Sequence, residues 1–322
     1  MNNIPTIKNK KIFITGGRGF IGTNLCLELS KHNEITVLDN NLRDAMTFFD
    51  VDKNIKVVKG NILDYNSLKD SVKGHDTIIH LAAIAGVSSY HYHPFSTMEV
   101  NFLGTYNVLK AAKENKNTEF LLNFSTSEVF GPHAINVSEK DNTSQGPIGE
   151  FRWTYSVSKL AAEHACFSFS KEYGLNVSSV RPFNIYGPGQ VGEGAIQSMI
   201  SNALQDKDII ITGDGLQTRS WCYISDMITA VKLILSNKQA VNNVFNIGNP
   251  STKITINDLA KKIIELTNSK SKIVYQKHIG ADVIHRNLSL EKAKTILGFE
   301  PKVGLDEGIL KSAEWYKKVN VK

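Results

Sequence analysis

The sequence predicts an α/β fold: a doubly wound parallel sheet with a smaller C-terminal lobe. Three observations predict it. Short apolar, β-branched runs alternate with helical stretches up to about residue 180, as in a parallel sheet covered on both faces. A glycine-rich turn joins the first run to the first helix. Past Arg181 the alternation loosens into glycine-rich loops such as Gly187–Gly194. The expected division is a first domain over residues 1–180, to which 220–250 return, and a lobe built from 181–219 and 251–322.

The elements read in order. Lys11–Thr15 is the first strand, and Thr23–Lys31 the first helix. Glu34–Leu38 is the second strand, ending at Asp39, and Ile55–Lys59 is the third. Thr77–Leu81 is the fourth strand, followed by a helix over 94–115 and a fifth strand, Phe120–Phe124. A helix carrying Tyr155 runs to Tyr173, and Val177–Val180 is the sixth strand. The late run Asn243–Gly248 reads as a strand returning to the first domain. No internal repeat or low-complexity linker interrupts this order.

The turn between the first strand and helix is Gly16-Gly17-Arg18-Gly19-Phe20-Ile21-Gly22. Strand, glycines and helix in succession form a dinucleotide fingerprint, here G-x-x-G-x-x-G, and make the domain Rossmann-type. Glycines let the backbone approach a pyrophosphate whose charge sits at the helix N-terminus. Asp39 follows the glycines by about 20 residues, placed to accept hydrogen bonds from ribose hydroxyls, with Asn40 beside it. A carboxylate there repels a 2′-phosphate, so the expected cofactor is NAD; Arg18 and Arg43 pull the other way.

Composition narrows the function classes. The chain has 322 residues, 41% hydrophobic and 21% charged, as in a globular protein. Residues 1–11 are polar and lysine-rich, so no signal peptide is expected, and no apolar stretch reaches membrane-spanning length. Cys26, Cys166 and Cys222 are scattered; reduced thiols in a cytoplasmic protein are expected, with neither a disulfide frame nor a metal site. The net charge of +6 is spread along the chain without aromatic interleaving. That favours anionic small molecules over nucleic acid.

Tyr155 and Lys159 are four residues apart on a helix, hence on one face. An ammonium beside a phenol favours the phenolate and lowers a pKa that starts near ~10, which gives a general base.

Taken together, these motifs resemble those of the extended short-chain dehydrogenase/reductases of the nucleotide-sugar epimerase/dehydratase/decarboxylase type, over about residues 10–318. The resemblance rests on the glycine turn, Asp39, His80-Leu81-Ala82-Ala83, Asn101-Phe102-Leu103-Gly104-Thr105, Ser125–Gly131, Tyr155 with Lys159, and Arg181-Pro182-Phe183-Asn184. It implies that Asn61, Ile62, Leu81, Ala82, Ala83 and Asn101 line the dinucleotide; the family usually has Asp where Asn61 stands. It implies that Tyr155 is the base, that Lys159 holds the nicotinamide ribose, and that Thr126 hydrogen-bonds the sugar hydroxyl. Ser127, Asn184, Arg219 and Arg286 are then substrate residues, with the two arginines on the nucleotide and the diphosphate. A guanidinium fork suits phosphate oxygens on its own chemistry. The resemblance also implies a homodimer formed through the helices near 101–115 and 154–173.

The shared chemistry is transient oxidation at C4 of a nucleotide-diphosphate sugar. A 4-epimerase, a 4,6-dehydratase and a uronate decarboxylase differ in the fate of the resulting 4-ketone. Glu128, two residues past Thr126 and expected on the same strand, would point to the same side and move protons between C5 and C6. Simple 4-epimerases usually carry a small residue there. The expectation is therefore a sugar-nucleotide 4,6-dehydratase, with a 4-epimerase or UDP-glucuronate decarboxylase as alternatives. No basic residue can be assigned from sequence to a substrate carboxylate. A non-catalytic NAD-binding sensor is the distant alternative, disfavoured by the presence of Tyr155, Lys159, Thr126 and both arginines.

Overall fold

The computed structural model describes residues 5–86, 91–277, 280 and 282–319. Seven parallel strands form the central sheet: β1 (Lys11–Thr15), β2 (Glu34–Asp39), β3 (Ile55–Lys59), β4 (Thr77–His80), β5 (Phe120–Phe124), β7 (Val177–Pro182) and β12 (Val244–Ile247). Their order is β12-β7-β5-β4-β1-β2-β3, so the chain winds outward from β1 in both directions. The late strand joins the sheet edge, pairing Phe245 with Val180. Strand alternation explains the two-sided cover: Ile12 and Ile14 enter one apolar core and Phe13 the other.

Among the described residues the helices include α1 (Phe20–Leu29), α2 (Tyr65–Val72), α3 (Pro94–Met98), α4 (Gly104–Glu114), α5 (Thr154–Tyr173), α6 (Ala195–Ala203), α7 (Ile224–Ser236), α8 (Ile256–Thr267), α9 (Glu291–Leu297) and α10 (Leu305–Val319). On one side α1 packs against α7; on the other α2 packs against α4, and α4 against α5. The core under α1 continues through Met227 and Ile196 to Leu259 and Ile309, so the C-terminal helices share it.

Short strands form the rest. A four-stranded sheet has the order β13 (Ile254–Thr255), β10 (Thr218–Arg219), β15 (His285–Leu288) and β6 (His133–Val137). Two further pairs are β8 (Ile185–Tyr186) with β11 (Cys222–Tyr223), and β9 (Ile209–Thr212) with β14 (Ile273–Gln276).

Four local expectations are corrected. The first helix starts at Phe20, because Gly19 serves as its N-cap in extended conformation. The helix expected over 94–115 is broken by a π-helical turn, Glu99–Leu103, between α3 and α4. The segment between the fifth strand and the Tyr155 helix, for which the sequence predicts no element, contributes β6. Glu128 does not share a strand with Thr126: β5 ends at Phe124, and Ser127–Phe130 is a 3-10 turn capped by the Thr126 hydroxyl, which accepts from the Glu128 N–H at 3.2 Å. The alternation argument for Glu128 therefore fails, and a cap positions it instead.

Candidate active site

The dinucleotide cradle lies at the carboxyl ends of β1, β2 and β4. Gly16 has φ +72°, and a Cβ there would lie 2.6 Å from the Ala82 nitrogen. A Cβ on Gly22 would lie 2.5 Å from the Gly16 oxygen. Only glycine allows this approach of turn, helix and the Leu81–Ala83 segment. The α1 N-terminus has no side-chain cap and no acidic residue in its first turn, leaving its N–H groups suited to a phosphate. Asp39 is buried and accepts from Arg18 N at 3.0 Å and Asn41 N at 2.7 Å. Burial pushes its carboxyl up, and the two N–H donors pull it back. Arg18 is ion-paired to Asp44, which offsets the charge that would recruit a 2′-phosphate. Asn61 and Asn40 use their side-chain oxygens on Leu63 N and Leu42 N, and Ile62 is buried in the core against Gly104.

A directional hydrogen-bond chain runs beneath this cradle. Ala82 N–H donates to the Thr15 hydroxyl at 3.3 Å, and Thr15 meets His80 Nδ1 at 2.7 Å. His80 Nε2 meets the Thr105 hydroxyl at 2.9 Å, and Thr105 donates to the Asn101 carbonyl at 2.6 Å. Because Thr105 donates onward, His80 must donate to it through Nε2 and accept from Thr15 through Nδ1. Burial holds the His80 imidazole down at about 3, so it is neutral. The π turn presents the Asn101 amide to both the N–H and the carbonyl of Ile84, at 2.7 and 3.0 Å, and to Ser158 Oγ at 3.0 Å. One side chain thus ties the cofactor-side loop to the helix that carries Tyr155 and Lys159.

Tyr155 has the Thr126 side chain as a neighbour that favours its ionised form. Its phenol is pushed up to about 12, first by burial and then by the Glu128 charge, with Thr126, Arg286 and Arg152 acting the other way. The lowering expected from Lys159 is thus not what governs it; the charges that reach the phenol belong to the glutamate and the arginines. Lys159 is itself 2% exposed, and burial brings it down to about 8.

Glu128 is the centre of an ion cluster. Arg152, in the 3-10 turn before α5, donates from both terminal nitrogens to its two oxygens, at 2.6 and 3.1 Å. Arg286 approaches Glu128 Oε1 at 3.1 Å from β15. Burial opposes the charge, but Arg286 and Arg152 outweigh it and hold the carboxyl down to about 2. A carboxylate so held is a weak proton acceptor at neutral pH. Arg219 and Arg286 are register partners on parallel neighbours β10 and β15, so they share a face. Burial, then the Arg286 charge, bring Arg219 down to about 10; Asp282, 3.9 Å away, partly compensates. Guanidinium groups held together at low exposure favour any anion that can enter between them.

The structure therefore brings Thr126, Glu128, Tyr155, Arg219 and Arg286 within electrostatic reach of one another. Asn184, at φ +45°, donates to the Ser220 carbonyl at 2.8 Å and so braces the residue that follows Arg219. Ser127 is buried. Sequence reasoning missed Arg152 as a site residue; only its place just before the tyrosine helix marked it. All three cysteines are buried and free, no cluster of metal-ligating side chains occurs among the described residues, and no described helix is long and apolar enough to cross a membrane.

Comparison with known proteins places this geometry. The sequence model of the NAD dependent epimerase/dehydratase family matches residues 12–248, and the chain belongs to that family. It is 35% identical over 322 residues to a UDP-N-acetyl-alpha-D-glucosaminuronate decarboxylase of Bacillus cytotoxicus, covering 96% of this chain and 98% of that one. It is 36% identical over 286 residues to a dTDP-D-glucose 4,6-dehydratase of Dictyostelium discoideum, covering 83% and 64%. A UDP-glucuronic acid 4-epimerase from Bacillus cereus, solved with UDP-glucuronic acid and NAD, superposes with a TM-score of 0.87 at 28% identity, covering 96% and 99%. The family is NAD-dependent, and the glycine cradle, the uncapped helix end and Asp39 fit that cofactor.

Proposed function

We propose that this member of the NAD-dependent epimerase/dehydratase family decarboxylates a UDP-linked uronic acid through transient oxidation at C4. The observation that carries the reading is the ion cluster of Arg152, Glu128 and Arg286 beside Tyr155 and Thr126. It offers cations for a C6 carboxylate next to the base, which sequence alone could not assign. The Bacillus cytotoxicus relative, named for a uronate decarboxylase, supports it. The sequence favours a 4,6-dehydratase, but that reaction asks Glu128 to take the C5 proton, and a carboxyl held at about 2 does this poorly.

NAD, which the glycine cradle, Asp39 and Lys159 would hold, would supply the hydride acceptor for C4 and the hydride that later reduces it. Tyr155 takes the C4 hydroxyl proton, with Thr126 holding the same oxygen, and Lys159 fixes the nicotinamide ribose. The C4 ketone makes the C6 carboxylate a β-keto acid. Its C5–C6 bond breaks, carbon dioxide leaves, and the electron pair moves into a C4–C5 enolate. A proton adds at C5, and Tyr155 gives its proton back to the C4 oxygen as that carbon is reduced again. Arg219 and Arg286 hold the diphosphate, and Arg286 also faces the sugar. Glu128 offsets part of the arginine charge, so the carboxylate is not over-stabilised before it must lose that charge. Residues 181–219 and 251–322 form the lobe that receives the nucleotide sugar.

The test is incubation with a panel of UDP-hexoses and UDP-uronates without added NAD, with products read by mass. Loss of carbon dioxide from a uronate is expected. Loss of water from a neutral hexose would instead establish the dehydratase. An unchanged mass with inverted C4 would establish the 4-epimerase, the reading favoured by the Bacillus cereus structure.

A homodimer belongs to the same reading. Phe95, Phe102, Leu103, Tyr106 and Val157 are exposed on α3, the π turn, α4 and α5, adjacent elements that a second copy would cover.

A further inference from the structure

Glu128 is itself a carboxylate, and it already occupies the cations that a uronate substrate would seek. Its two oxygens fill the Arg152 fork at 2.6 and 3.1 Å, and one of them also meets Arg286 at 3.1 Å. The two arginines come from different parts of the fold. Arg152 rides on the turn that opens the tyrosine helix, whereas Arg286 rides on β15 beside Arg219. The glutamate is therefore shared between a bidentate partner at the start of the tyrosine helix and an arginine on β15. A bidentate guanidinium–carboxylate pair is stronger and more directional than a single contact. Given a competing anion, the Arg286 contact is the one that yields.

We propose that Arg152 is a positioning residue that sets the preference for C6-carboxylated sugars, by holding Glu128 out of competition for Arg286. An arriving C6 carboxylate displaces Glu128 from Arg286, and Arg152 keeps the glutamate paired while it does so. Without Arg152, Glu128 would fall wholly onto Arg286, its remaining arginine, and would oppose the substrate there. A neutral sugar has no carboxylate to exchange, so its binding does not depend on Arg152. This inference rests on the uronate reading of the site.

The test is equilibrium binding of UDP-glucuronate and of UDP-glucose to the NAD-loaded protein, in a Tyr155→Phe background that prevents turnover. Arg152→Gln should weaken UDP-glucuronate by about tenfold or more, the range for removing one partner of a buried charge pair. UDP-glucose should be nearly unaffected. Adding Glu128→Gln removes the competitor and should bring UDP-glucuronate affinity back toward the parent. That rescue distinguishes positioning from damage, since a purely structural role would make the double variant worse. Equal weakening of both ligands by Arg152→Gln, or no rescue in the double variant, would overturn the proposal. If the parent protein shows no preference for UDP-glucuronate, the uronate reading falls as well. If carbon dioxide is released by the wild type but the preference ignores Arg152, only the Arg152 inference falls.

Discussion

Tyr155 and Glu128 carry opposite demands within one pocket. In the proposed reaction the phenol has to lose a proton, yet burial and the glutamate charge hold it at about 12. A positive charge next to the phenol opposes the glutamate, and an oxidised nicotinamide held there would bring one. Tyr155→Phe removes the base and should lower kcat by about 10²–10⁴ while cofactor content is unchanged, checked by steady-state rates and by NAD released on denaturation. Glu128 makes a separate prediction about stability. Its folded-state pKa is depressed to about 2, so its contribution is fully present above the unfolded value of ~4.3 and is lost as pH falls through about 2. Glu128→Gln should therefore destabilise the protein by about 3 kcal/mol near neutral pH, because it leaves two buried arginines without their shared counter-ion. Denaturant titrations at several pH values should show the gap shrinking once the pH drops below ~4.3. A gap that does not change with pH would mean that the carboxylate charge is not the source.

Among the elements, the π turn has the clearest mechanical role. It turns the Asn101 amide into the loop at Ile84 and onto Ser158, and so connects cofactor loop and catalytic helix. Asn101→Ala deletes three hydrogen bonds at a buried position, and should cost about 3 kcal/mol of stability and weaken NAD retention, read by thermal melts and cofactor content. Much at this scale was legible in the sequence. Runs such as Lys11–Thr15 and Phe120–Phe124 are short, apolar and bounded, and the glycine turn has one structural use in that context. The rest was hidden for physical reasons. A π turn differs from an α-helix by one residue per turn and leaves no compositional mark over Glu99–Leu103. The cap that places Glu128 depends on where β5 stops, which the tertiary structure decides. The Arg152–Glu128–Arg286 cluster joins residues separated by 24 positions on one side, and on the other from the far end of the chain. No local pattern records such a convergence.

For the whole molecule, the central sheet carries the glycine cradle at β1 and Asp39 at the end of β2, and the four-stranded sheet carries Arg219 and Arg286 as register partners. The exposed apolar face of α3, α4 and α5 predicts a dimer in solution; light scattering should give twice the monomer mass, and Phe102→Glu with Tyr106→Asp should give a folded monomer. The central claim is a C4 oxidation that ends in loss of carbon dioxide, and one labelling measurement reaches both halves. UDP-glucuronate carrying deuterium at C4 should yield carbon dioxide and a UDP-pentose that keeps the deuterium at C4 and has gained one solvent hydrogen at C5. A product that retains its carboxylate, or one that has lost the C4 label to solvent, would contradict the account.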